Sequence, residues 1–138
     1  MKLFLICSKH FYDRIPPIKE ELEKAGHIIT PPNSYDAPFK EEEIKLQGLE
    51  AHIKWKQSMI RLQEPKIRAN EGVFVLNFEK KGLPNYIGGA TFLEIYKAWE
   101  LERKIFLYNP IPKNIFEDEL SAFNPTIIYG DLSRIVNI

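Results

Sequence analysis

The stretch YIGGATFLE, Tyr86 to Glu94, places two glycines and two small residues just ahead of a carboxylate. A glycine pair where a helix begins lets a ligand approach backbone amides and meet the positive end of the helix dipole, which suits an anion or a sugar hydroxyl. The same feature is also an ordinary tight turn, and it matches neither a Walker loop nor a dinucleotide fingerprint. Glu94 falls one turn into the helix, with Ala90 four residues before it, Ala98 four after and Leu101 seven after on one face. Phe92, Ile95 and Trp99 supply another apolar face, so the helix is expected to be largely buried. A buried carboxylate without a partner is costly, and its presence then implies a use or a hidden cation. The competing reading is structural: Glu94 pairs with Lys97 at i, i+3, or is a helix-start charge favoured by the dipole. Spacing alone leaves both readings standing.

The elements that must position this carboxylate are legible as runs. KLFLIC (Lys2 to Cys7) is a short apolar run followed by polar residues, as expected of a buried strand ending in a loop. RIPPIKEELEKAGH then reads as a helix with prolines in its first turn and Gly26 as its stop. HIIT (His27 to Thr30), GVFVLNF (Gly72 to Phe78), KIFLYN (Lys104 to Asn109) and TIIYG (Thr126 to Gly130) read as further strands. PPNSYDAPFK is a long loop of the kind that carries function or covers a site. Glu41 to about Gln63 has a helical pattern, weakened midway by Gly48, and NIFEDEL makes a short helix. Five strands alternating with helices predict a single α/β domain over residues 1–138, three-layered, with a five-stranded parallel sheet of flavodoxin-like or Rossmann-like type. Such sheets bind ligands beyond the carboxyl ends of their strands, near the switch in strand order.

Composition narrows the ligand. Nineteen basic and nineteen acidic side chains balance to zero formal charge, so the chain has no broad electrostatic footprint for nucleic acid or an anionic membrane. Hydrophobic residues at 44% and charged residues at 28% fit a globular chain that can bury a core. Cys7 is the single cysteine, which excludes an internal disulfide and fits a reducing compartment. The opening LFLIC is too short for a signal peptide or a membrane span, and a cytoplasmic protein is expected. No metal-ligand spacing and no Ser, His and Asp order suggesting a triad is present. Trp55 and Met59, at i and i+4, read as core or subunit contact, and KEEE (Lys40 to Glu43) as a solvated helix start.

Three segments, LFLICSKHF, IRANEGVFVLN and NYIGGATFLEIYKAWELERKIFLYN, resemble the nucleoside 2-deoxyribosyltransferase family and its relatives, the 2'-deoxynucleoside 5'-monophosphate N-glycosidases. The likeness covers most of the chain in element order. It implies that Glu94 is a nucleophile attacking C1' of deoxyribose to give a glycosyl enzyme, which a second base or water then resolves. It implies that Glu71, where the family normally has Asp, is the acidic partner. Ser8, Lys9, His10 and Phe11 would form a first ligand loop, with Lys9 and His10 suited to a 5' phosphate. Asn77, Asn85, Gly88, Gly89, Ala90 and Thr91 would line a second. The family's aromatic hydroxyl from the first strand has no counterpart at Leu5 or Ile6, which leaves Tyr86 or Tyr35 to replace it. Tyr96 stands where relatives commonly carry Gly. The resemblance implies no metal or organic cofactor, a nucleoside or nucleotide ligand and a homo-oligomer. A nucleotide-binding or sensing domain without the reaction is the alternative.

Overall fold

The computed structural model describes residues 1–136. The apolar runs become β1 (Lys2–Ile6), β2 (Ile28–Thr30), β3 (Gly72–Val75), β4 (Lys104–Leu107) and β5 (Thr126–Ile127). They pair in parallel as one five-stranded sheet in the order β2-β1-β3-β4-β5. That order is the flavodoxin-like one, and its switch point lies between β1 and β3. Strand pairing stops earlier than the apolar runs do; beyond it, residues such as Leu76 and Phe78 continue the core from the loops.

Helices cover both faces. They are α1 (Ile15–Lys24), α2 (Lys40–Lys45), α3 (Leu49–Arg61), α4 (Gln63–Arg68), α5 (Gly89–Glu100) and α6 (Glu117–Ala122). Because successive strand side chains point to opposite faces, Leu3, Leu5, Phe74 and Phe106 pack under Ile15, Ile18 and Leu22 of α1. Phe4, Ile6, Val73, Val75 and Leu107 pack against Ile67 of α4, Ile95 and Ala98 of α5 and Leu120 of α6. The result is the three-layer α/β arrangement that the runs predict.

The region from Glu41 onward departs from expectation. Gly48, at φ +112°, breaks the helix outright, because the chain there adopts a conformation that a side chain opposes. A separate helix, α4, then extends past Gln63, with Pro65 tolerated in its first turn. No residue of α2 or α3 is buried in the core, and Leu46 is 89% exposed. Their apolar residues therefore do not read out as a core face. The loop after β1 also winds into a 3-10 helix, Lys9–Arg14, whose entry is fixed by the Ser8 hydroxyl accepting the His10 N–H at 3.3 Å.

Candidate functional site

A cleft of about 280 Å³ opens at the carboxyl ends of β1 and β3, at the switch point. Cys7, Ser8 and Lys9 line it from the end of β1, Tyr86 and Gly88 to Thr91 from the mouth of α5, and Glu94 from one turn inside α5. Asn33, Ser34, Ala37 and Pro38 contribute the long loop, while Glu41, Trp55, Lys56, Met59 and Gln63 form the opposite wall. The glycine pair performs as the sequence suggests. A side chain at Gly88 would press on the Tyr86 ring, with the hydroxyl 3.3 Å away, and Gly89 faces open space. No side chain caps the start of α5, so its first amides remain available.

Glu94 is 9% exposed and borders the cleft. Lys97, its sequence-level partner, instead pairs with Glu100 at 2.8 Å and Glu64 at 3.5 Å. Among the described residues no ion pair or hydrogen bond reaches the Glu94 carboxyl. Burial pushes its pKa up from 4.5 to about 8, so the free protein holds it protonated at neutral pH. Cys7 and Tyr12 are nearby: burial and then the charge of Glu94 raise the Cys7 thiol, and burial, then Cys7, then Glu94 raise the Tyr12 hydroxyl above its ordinary value. A thiol shifted in that direction is a poor nucleophile.

The second carboxylate of the cleft is Glu41. Although burial opposes it, a hydrogen bond from His52 at 2.9 Å and the ammonium of Lys56 at 3.5 Å hold its pKa below the ordinary value. Two carboxyls on one cleft thus carry opposite shifts, the pattern that separates acid from base roles. The wall that carries Glu41 is held together by the His52 and Lys56 contacts to Glu41 and joined to the rest of the protein by an ion pair between Lys9 and Glu42 and a hydrogen bond from Gln63 to the Ala90 carbonyl.

The remaining expected site residues divide. Ser8, Lys9, Tyr86, Gly88, Gly89, Ala90 and Thr91 line the cleft with Glu94. His10 lies outside it, exposed on a neighbouring depression that shares Lys9 and Lys80 with the cleft. Phe11 is turned into the core and packs edge-on against Phe78 at 5.4 Å. Glu71 is a correction: it precedes β3, at the amino end of the sheet, where its side chain is exposed and accepts the Lys2 N–H at 3.2 Å. It is absent from the cleft because a residue leading into a parallel strand lies at the end away from the ligand crevice. Asn85 takes φ +54° in the loop and does not line the cleft either.

Asn77 is a second correction. Fully buried, it donates from Nδ2 to the carbonyls of Asn109 at 2.9 Å and Pro110 at 3.2 Å, and accepts the Asn109 N–H at 2.9 Å. Asn109 returns a bond from its own Nδ2 to the Asn77 carbonyl at 3.0 Å. The side chain clasps the ends of β3 and β4 and has nothing left to offer a ligand. Asn77→Ala leaves those groups unpaired inside the protein, and an equilibrium urea titration should show a loss of about 2–3 kcal/mol.

Neither tyrosine expected to replace the missing hydroxyl stands alone. Leu5 and Ile6 are fully buried, and Tyr35 packs edge-on at 5.5 Å against Tyr12. Tyr12 is the tyrosine whose hydroxyl senses Glu94, and it is hydrogen bonded to the Ser34 side chain. Tyr96 points outward to Glu100 at 3.0 Å and leaves the cleft open. Comparison of the chain with protein-family models, with curated proteins and with solved structures gave no match. Among the described residues there is no group of three metal-ligating side chains, and no helix is long and apolar enough to cross a membrane.

Sequence reasoning missed Tyr12, Glu41, Trp55, Met59 and Gln63. The spacing of Trp55, Met59 and Gln63 was a signal for a shared helix face. What that face meets depends on the break at Gly48.

Proposed function

We propose that the protein cleaves or exchanges the N-glycosidic bond of a deoxyribonucleoside or its 5' monophosphate. The observation that carries this reading is the Glu94 carboxyl, buried, unpaired and bordering a cleft at the switch point of a parallel sheet. In this reading Glu94 gives up its proton and its carboxylate bonds to the anomeric carbon as the C1'–N bond breaks, the base leaves carrying a proton in exchange, and a second base or water resolves the glycosyl enzyme. In place of Glu71, Glu41 serves as the second carboxylate of the site: it stays ionised beside His52 and Lys56 and accepts a hydrogen bond from a sugar hydroxyl. Tyr12, which lines the same cleft, supplies an orienting hydroxyl to Glu94 once substrate is bound, and Lys9 and Lys80 receive any 5' phosphate.

The family likeness also includes assembly into a homo-oligomer. The apolar side chains left uncovered at Leu46, Leu49, Ile53 and Ile60 support it, since short helices without buried residues gain little from propensity alone. A second reading, a nucleotide-binding domain without the reaction, is favoured by the burial of Glu94, which pushes its pKa up to about 8 and disfavours the ionised nucleophile near neutral pH. Chromatography separates the two. Incubation with the four deoxynucleosides and their 5' monophosphates, with and without a second base, should release free base, and a new nucleoside would identify transfer. Ligand-induced stabilisation with no base released from any substrate decides for the binding domain.

A further inference from the structure

Trp55, Met59 and Gln63 succeed one another at four-residue steps, and all three line the cleft wall across from the mouth of α5. Trp55 and Met59 are half-buried, α3 buries nothing in the core, and one face of the Trp55 ring stacks on His52 of the same helix at 6.4 Å. Gln63 differs from them. It is buried, and its Nε2 donates to the Ala90 carbonyl at 3.2 Å. A carbonyl only accepts, so the reversed amide would set two oxygens against each other; the orientation is therefore dictated by its partner. The Gln63 Oε1 is left as a fixed acceptor with no hydrogen bond among the described residues. It is not sealed away: among them the one partnerless side-chain atom cut off from solvent is Arg103 Nε.

Ala90, the residue that fixes Gln63, lies one turn before Glu94 on the same helix face, about 6 Å along the axis. That spacing is comparable with the reach from the anomeric carbon of a nucleoside to the far edge of its base. We infer that Trp55 and Gln63 are the base-reading elements of the cleft: the indole supplies a stacking surface, and Gln63 Oε1 selects bases that present an N–H donor on the edge away from the sugar. The inference rests on the nucleoside reading above and narrows its substrate class. Aromatic stacking tolerates every base, so discrimination falls to the fixed acceptor. A base lacking the donor leaves that acceptor buried and unpaired.

Calorimetric titration of the full chain carrying Glu94→Gln, which binds without turnover, tests this with two matched pairs. One pair is 2'-deoxyadenosine against the purine deoxyriboside lacking the amino group; the other is thymidine against N3-methylthymidine. Each is used as nucleoside and as 5' monophosphate. For whichever pair binds, the donor-bearing member should bind about tenfold more tightly, and Gln63→Met should bring the ratio close to one. Trp55→Ala should weaken both members equally. A ratio near one before Gln63 is changed overturns the inference and leaves the glycosidic reading intact if base release is observed. If Gln63→Met fails to fold, the ratio measured with Gln63 in place decides by itself. Absence of binding by all these ligands, together with absence of base release, overturns the nucleoside reading and this inference with it.

Discussion

Glu94→Ala protein should release base at least about 10⁴-fold more slowly than the wild type, since loss of a nucleophile leaves only the contributions of binding and orientation. The expected defect lies in kcat. The alanine removes a side chain that faces the cleft, between Ala90 and Ala98 on its helix, so ligand binding should survive. The pH profile gives the finer result. With the free-protein carboxyl at about 8, a nucleophile is mostly in its inactive, protonated form at neutral pH. kcat/KM should therefore rise about tenfold per pH unit and level off near pH 8. A profile that instead falls above that pH would make Glu94 a proton donor. Full activity in the alanine variant would remove Glu94 from the chemistry altogether.

The second large effect is on stability. Folding raises the Glu94 pKa from 4.5 to about 8, so between these values the native state holds a proton that the unfolded chain has released. This contribution is complete below pH 4.5, falls by about 1.4 kcal/mol per pH unit as pH rises, and is gone above pH 8. The full difference is on the order of 5 kcal/mol, a large part of the stability of a typical domain. Glu94→Gln, neutral at every pH, should lack this slope. Urea titrations at pH 5 and pH 8 should show the variant gaining several kcal/mol on the wild type between the two. The comparison cancels groups whose pKa is lowered on folding, such as Glu41 and Asp131, because both proteins carry them. Parallel stability curves would show that water reaches the carboxyl and that burial does not govern it.

The two results are linked. A carboxyl kept uncharged by its surroundings costs stability as it ionises, and a ligand that favours the ionised form would recover part of that cost. The alternative binding domain shares the stability effect and lacks the kinetic one, so the pair of measurements distinguishes the readings.

The sequence alone determined the architecture and the position of Glu94 along its helix, while its burial was decided by the fold. Apolar runs such as KLFLIC and GVFVLNF report burial on two faces, and their alternation with helices restricts the connections to a parallel sheet with a crevice at its carboxyl ends. Glu94 could be placed one turn into a glycine-led helix because helical periodicity is local. The same crevice rule excludes Glu71, which stands before its strand and not after it; the family likeness outweighed a signal already present in the chain. Asn77 has the right position and the wrong role, because only the folded pair shows that Asn109 and Pro110 take up its amide. The far wall was decided by tertiary structure. Trp55, Met59 and Gln63 show a common face in sequence, but the turn at Gly48 and the Ala90 contact determine that this face meets a cleft and not a core. Tyr12 and Glu41 likewise become site residues through partners distant in sequence, since a local pattern specifies the face a side chain occupies and long-range packing specifies what that face meets.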